Sequence, residues 1–483
     1  MLGWLRRNLL PSLKGRTAGR SAGFVRAKYD SAMTSDHNRR HWAHADGLSV
    51  NAANSVEVRR ILRNRSRYEV ANNSYARGIT LTLANDVVGT GPRLQMLTAD
   101  GEANRRIEHA FHRWARAVNL AEKLRTLRMA QVQDGEAFAI LISNPTLPTA
   151  IQLDLRLVEA DQVATPFRGW SDSRETDGII FDTAGNPSEY YVLRQHPGES
   201  ATGWEADRIP AGSVVHLFRT DRPGQRRGIP EITPALPLFA MLREYSLATL
   251  DAAKAAAYYA GIIYTDAPPN GETDAIEPLD PIELERNTLL TMPGGWRMSQ
   301  LQAEQPTGTF ADFKREILNE IARCLNMPFN VAAGNSSSYN YASGRLDHQT
   351  YFKSLRIDQS RMELVVLDRI LAAWLDEAVL VGDLLPVDQG PFMNWPHQWF
   401  WDGHEHVDPA KEANAQATRL ASHTTTLADE YARRGQDWET QLRQRAKEIA
   451  LMQELGLSPV SSTSQPIPEL ANDELSEDPV AAE

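Results

Sequence analysis

A single cysteine, Cys324, stands among 483 residues, so no intrachain disulfide and no multi-thiolate metal site can form. Its place on an apolar helical stripe predicts a packed thiol rather than a reactive one, in a chain suited to a reducing compartment. No stretch approaches 18 consecutive apolar residues, so no transmembrane helix and no membrane partner are expected. Positive charge is also short: 51 Lys and Arg face 62 Asp and Glu, the formal net charge is −11, and no Lys or Arg follows Lys447. A protein that grips DNA tightly at one site needs cations to neutralise several phosphates. This balance excludes that mode, while leaving room for a duplex that passes close by without sticking.

The motifs of nucleotide and hydrolytic chemistry are missing as well. There is no GxxxxGK[ST] phosphate loop, and Gly89-Thr90-Gly91-Pro92 lacks the third glycine and the lysine, so it reads as a turn. His404, Glu405, His406 and Asp408 sit in a Gly- and Pro-flanked loop without the i, i+4 spacing of a zinc helix. Ser343 and the serines 336–338 lie near Asp347 and His348 but lack the glycine elbow that presents a nucleophile. Asp154, Glu159 and Asp161 are expected to form a solvated strand face, with Mg²⁺ binding by a nuclease as the alternative. The chain is expected not to be an enzyme and to need no cofactor.

What is present is enough apolar material, 42% of residues, to build cores in about two to four domains. Seven Lys or Arg precede the first acid, Asp30, which makes 1–55 a basic, flexible arm. Helical periodicity over 56–83 runs through Val58, Ile61, Leu62 and Val70, predicting one or two helices, and the 87–94 segment VVGTGPRL ends it in a turn. Two further helices are expected over 102–117 and 120–136. From 138 to 218 the period changes to two, giving strands FAILI, IQLDLRLVE, GIIFD, SEYYVLRQ and SVVHLF, with DTAGNP at 182–187 as a hairpin turn. A long Ala-rich helix follows GIPEITPALP, and after short strands Phe310, Phe313, Ile317, Ile321 and Leu325 mark an amphipathic helix stopped by Met327-Pro328. A further long helix is expected from Tyr351 to about Val381. The acidic tail beyond Gly456 reads as disordered. The fold class is α+β, mainly helical with an inserted β-rich part.

Between two of these helices, 321–352 reads IARCLNMPFNVAAGNSSSYNYASGRLDHQTYF, whose Asn, Ser and Tyr run cannot form a core yet is too specific for a linker. This segment, with RRILRNRSRYEVANNSYARGITLTLANDVVGTGPRL, DGEAF at 134–138, LRLVEADQV at 155–163, GIPEITPAL and WDGHEHVDPAKEA at 401–413, resembles the lambda family of tailed-phage portal proteins. The resemblance runs over roughly 56–450 and keeps the family's order.

It implies a portal fold: a wing over 56–230, stem helices over 231–261 and 306–328 flanking a small clip at 262–305, and a tunnel loop over 329–346. A wing and crown helical region would follow over 347–456, and a disordered tail over 457–483. It also implies a homo-oligomeric ring, typically of twelve copies, at one capsid vertex of a virion assembled in the bacterial cytoplasm. The implied partners are the terminase large subunit, the major capsid protein, a head–tail connector, and double-stranded DNA contacted without sequence preference during packaging and ejection. Asn335, Ser336, Ser337, Ser338, Tyr339, Asn340, Tyr341, Ser343 and Arg345 would line the channel, while Asp274, Glu277, Asp280, Glu283 and Glu285 would lie on the clip that docks the terminase. Twelve helices about 10 Å wide standing side by side leave a lumen near 28 Å. A duplex about 20 Å wide passes through that with little to spare. The rival readings are a minor capsid or scaffold protein and a metal-dependent nuclease.

Overall fold

A computed structural model describes residues 35–36, 38–166, 174–199, 205–258, 262–265, 296–299, 309–337, 341–382, 384–385, 395–403 and 409–457. The chain forms two units. In 1–53 the described part ends in one short helix, α1 (Val50–Ala53); the unit 54–483 carries everything else.

The periodic stretch after Ser55 is two helices, α2 (Val56–Asn72) and α3 (Ser74–Val88). Asn73 makes the break. Its backbone N–H closes α2 on the Glu69 carbonyl, and its side chain accepts from the N–H groups of Tyr75 and Ala76 as the N-cap of α3. The expected apolar stripe of α2 holds only in part, with Val70 buried and Leu62 packed against the core. Val58 and Ile61 face solvent, while Arg59, Arg63, Ser66 and Glu69 are buried, because acids on other elements await those arginines.

The 87–94 turn is present and runs into a short strand, β1 (Arg93–Met96), followed by α4 (Gly101–Ala117) and α5 (Leu120–Asp134). Asp100 caps α4, and Ile107, Phe111 and Trp114 form its buried stripe as the periodicity predicts.

The β-rich part comprises β2 (Glu136–Ser143), β3 (Leu153–Val158), β4 (Glu175–Thr176), β5 (Ile179–Phe181), β6 (Pro187–Leu193), β7 (Ala206–Pro210) and β8 (Val214–Phe218). Among the described residues they make two antiparallel sheets, ordered β3-β2-β8 and β4-β5-β6-β7. Successive residues of β2 serve different cores. Ala137 and Ala139 face the large helical core, and Phe138 and Ile140 pack with Ile179, Tyr190 and Val214 in a smaller one. The hairpin at 182–187 forms as expected, with the Asp182 carboxylate accepting from the N–H groups of Ala184 and Asn186 and Gly185 at φ 89°.

Helix α6 (Leu236–Tyr258) starts from a 3-10 turn that contains Pro234, as a proline-led start requires. The strands β9 (Ile262–Thr265) and β10 (Trp296–Ser299) pair antiparallel, and α7 (Phe310–Arg323) follows. The presumed loop 329–346 is largely helical. Residues Phe329–Ala333 form α8, Gly334 closes it in the left-handed region at φ 63°, and α9 (Tyr341–Met362) begins before the expected Tyr351. A π-helical turn at Glu363–Leu367 joins α9 to α10 (Asp368–Ala378). The chain continues through β11 (His397–Phe400), α11 (Pro409–Ala421), α12 (Leu427–Ala432) and α13 (Trp438–Glu454).

Strand β11 pairs with β1, Arg93 opposite Phe400 and Met96 opposite His397. Trp114, Trp374 and Trp399 then lie with ring centroids 5.1–5.6 Å from that of Phe111. Each such ring stabilises the fold by about 2–3 kcal/mol through removal from water.

Candidate functional site

A buried charge network ties the elements together. Arg59, Arg63 and Arg67 stand at i, i+4 and i+8 on α2, hence on one face. Arg63 reaches Glu136 at 3.1 Å and Asp161 at 2.7 Å, Arg67 reaches Asp134 at 2.7 Å, and Arg59 pairs with Asp177. Glu136, whose side chain is 0% exposed, also receives Arg227 at 2.7 Å, the Gly228 N–H at 3.0 Å and His216 Nε2 at 3.1 Å.

Burial alone would push the Glu136 carboxyl up; the Arg227 charge and the hydrogen bonds from His216 and Arg227 hold it well below the usual range. Burial lowers His216, so a neutral ring that donates from Nε2 to Glu136 fits the site. A second cluster joins Arg128 to Glu231 at 3.0 Å and to Asp358 at 2.8 Å. The DGE and RGIPE segments therefore act as mutual anchors. Their glycines permit the approach: a Cβ on Gly228 would lie 2.0 Å from the Gly135 carbonyl oxygen, and one on Gly135 would lie 2.3 Å from the Ile229 carbonyl carbon. With its oxygens engaged, Glu136 holds elements together and has no lone pair facing a substrate.

The expectation of a solvated acidic face is corrected here. Asp154 pairs with Lys123 and accepts from Asn144 at 2.9 Å, and Asp161 is gripped by Arg63 and Arg67; only Glu159 is well exposed. Glu159, Asp161 and His196 each bring one ligand atom within 4.8 Å of the others. The position between the acids is served by Arg67, 2.7 Å from Asp161 and 3.3 Å from Glu159. A guanidinium there meets the charge demand that a divalent ion would meet.

The GTG turn is held by a carboxylate of the chain itself rather than by a bound phosphate. Thr90 donates from both its backbone N–H and its hydroxyl to Asp402 of the WDG segment, and Gly89 leaves room for that carboxylate. A phosphate is repelled from such a turn. The residues of the 404–408 metal-like motif lie outside the described residues. Cys324 is half-buried at the end of α7, donating to the Glu231 carbonyl at 3.1 Å, and burial pushes its thiol up, as expected for a packed cysteine.

Helices α6 and α7 lie side by side, with the Tyr245 ring 5.6 Å from Phe310 and 5.0 Å from Phe313. Phe313, expected in the core, is 50% exposed because that contact covers one side of its ring only. Met241 and Leu250 of α6 are 62% and 51% exposed. The polar side of α7 and the start of α9 border an open cleft of about 530 Å³ lined by Arg315, Asn319, Arg323, Asp347 and Thr350.

Beyond Gly334 the backbone folds on itself. Ser337 donates from its N–H and hydroxyl to the Asn335 side chain at 3.0 and 2.7 Å, and Asn330 links to Ser336 and His348 at 3.4 and 3.1 Å. Ser338, Tyr339 and Asn340 lie outside the described residues. Tyr341, Ser343 and Arg345 belong to the first turns of α9 rather than to a loop, and Arg345 is exposed. Asp274, Glu277, Asp280, Glu283 and Glu285 also lie outside the described residues.

Sequence reading missed the buried arginines. Their i, i+4, i+8 spacing was the available signal.

The chain is similar to the "Probable portal protein" of Halomonas phage phiHAP-1, 26% identical over 425 residues, 82% of this chain and 81% of that protein. It is similar to the "Portal protein B" of Escherichia phage lambda, 21% identical over 364 residues and 68% of each chain. A chain from the neck of an empty gene transfer agent particle aligns with TM-score 0.45 at 15% identity, over 77% of this chain and 92% of that one. The family model described as "Phage portal protein, lambda family" matches residues 36–359, more than half of the 483 residues. By that match the chain belongs to the lambda family of phage portal proteins.

Proposed function

We propose that this protein is the subunit of a portal ring at one capsid vertex, through which double-stranded DNA enters during packaging and leaves during ejection. The observation that carries the reading is that one continuous family match spans the α2 network, the α6/α7 pair and the segment after Gly334 together. Exposed apolar residues support it: Val58 and Ile61 on α2, Met241 and Leu250 on α6, Leu346 and Ile357 on α9, and Leu364 on the π-helical turn after it. A subunit with such faces gains by standing against identical neighbours.

On this reading the copies number about twelve, as a lumen just wider than a duplex requires. The α6 and α7 helices form the channel wall, and residues 335–340 meet the passing backbone. A separate terminase supplies the energy, so this chain needs neither catalytic group nor cofactor. The major capsid protein holds the ring from outside, and a head–tail connector takes over after packaging, all within a virion assembled in the bacterial cytoplasm.

Averaging electron micrographs of the purified protein tests the proposal. Rings with an axial opening and rotational symmetry are expected; compact particles without an opening would point to a minor capsid or scaffold role instead.

A further inference from the structure

Helix α4 buries Ala103, Asn104, Ile107, Phe111 and Trp114 and turns its other side outward. Arg105, Arg106, His109, His112, Arg113 and Arg116 are all exposed there, against one exposed acid of the helix, Glu102. Arg105 is spent on that acid, and Arg106 lies near Asp100. Arg113 and Arg116 make no ion pair among the described residues. The helix's other acid, Glu108, turns inward to accept from the Met96 N–H at 2.7 Å, flanked by Asp437 and Glu439. Arg93 on the adjoining β1 adds a further exposed cation. Positive potential gathers at the outer face. His112 is lowered first by partial burial and then by Arg116, Arg93 and His109 around it.

This face is an exception on a chain of net charge −11. A cluster of cations on one face attracts a polyanion locally although the chain as a whole is acidic. The cations are arginines with no lysine among them, and the planar guanidinium fork matches phosphate oxygens two at a time. From Arg106 to Arg116 the row is about 15 Å long, which faces about four or five phosphates of one duplex strand at 3.4 Å each. It is also rigid, because Trp114 beneath it donates to the Leu153 carbonyl at 2.7 Å. Phosphate contacts of this kind position a backbone and carry no sequence information themselves.

We infer that the exposed face of α4 is a docking surface for the phosphate backbone of double-stranded DNA, distinct from the α6/α7 helix pair. The inference rests on the portal reading only for the presence of a duplex.

The test uses the full chain and a labelled duplex of arbitrary sequence, with affinity measured over a series of salt concentrations. The variant Arg106→Gln/Arg113→Gln/Arg116→Gln is expected to make the log–log salt slope shallower by about two to three, at about 0.9 per lost phosphate contact. The corresponding triple Lys variant should keep the slope, since charge is retained. The basic residues near the chain start contribute equally to all three proteins and cancel in the comparison. An unchanged slope in the Gln variant would overturn the inference. So would a Gln variant whose particle size differs from the parent, because the face would then be a contact between copies. Failure of the parent to form rings refutes the portal reading, and the slope difference still decides this one.

Discussion

Replacing Glu136 by Gln isolates the buried network. The amide keeps the shape of the carboxylate but removes the charge that faces Arg227 at 2.7 Å and Arg63 at 3.1 Å. Both guanidiniums are buried, with side chains 1% and 5% exposed, so water does not replace the lost partner. Breaking a buried pair by removing one charge costs about 3–5 kcal/mol. At about 2 °C per kcal/mol, suited to a chain of this size, the thermal midpoint should fall by roughly 6–10 °C. The exposed pair of Arg194 with Glu205, at a similar 3.0 Å, provides the contrast: Glu205→Gln should leave the midpoint where it was.

Acid titration gives a second readout. Because the Glu136 carboxyl lies well below 4.5 in the fold, its contribution is complete above pH 4.5 and is lost as pH falls through the folded value. The Gln variant should therefore lose part of the parent's acid sensitivity. Calorimetry or circular dichroism measures both. A midpoint within a degree of the parent would refute the view that this carboxylate anchors the elements around it.

Glu108 predicts the opposite pH dependence. Burial first, then Asp437 and Glu439, push it up to about 7, so its contribution is full below pH 4.5 and lost as pH rises through 7. Glu108→Gln should flatten the thermal midpoint between those values, and an unchanged profile would count against that site. Gly135→Ala forces a Cβ against Ile229 and Pro230 at a residue with φ 87°, and should cost more than about 3 kcal/mol, visible as loss of soluble protein. Asp402→Ala removes both acceptors of Thr90 and should cost about 1 kcal/mol, read by chemical denaturation. Deleting 335–340 should shorten the DNA retained in filled heads, as gel sizing of packaged genomes would show; full-length retention would remove this segment from any grip on the duplex.

Several elements were legible in the residues themselves. The stripes of α4 and α5, the alternation of β2 and β3, the hairpin at 182–187 and the proline-led start of α6 depend on neighbours within a few positions, and those the sequence carries directly. The missing phosphate loop and nucleophile elbow could be read the same way.

Other features depended on distant partners. Strand β1 exists because Arg93 to Met96 find residues 397–400 far along the chain. The buried arginines of α2 follow from Glu136, Asp161 and Asp177, which draw part of what looks like its polar side inward beside Leu62 and Val70. The same contacts convert an apparent solvated acidic face into internal ion pairs, and local packing around Gly334 replaces most of an expected loop with α8 and α9.

The sequence by itself determined where helices and strands arise, which chemistries are absent, and the family's motif order, because each is written in short-range periodicity and composition. Which face of α2 is buried, which acids are paired and where the chain turns after α8 were decided only by the tertiary structure, since a charge's preference between water and the interior is set by the partner that waits there.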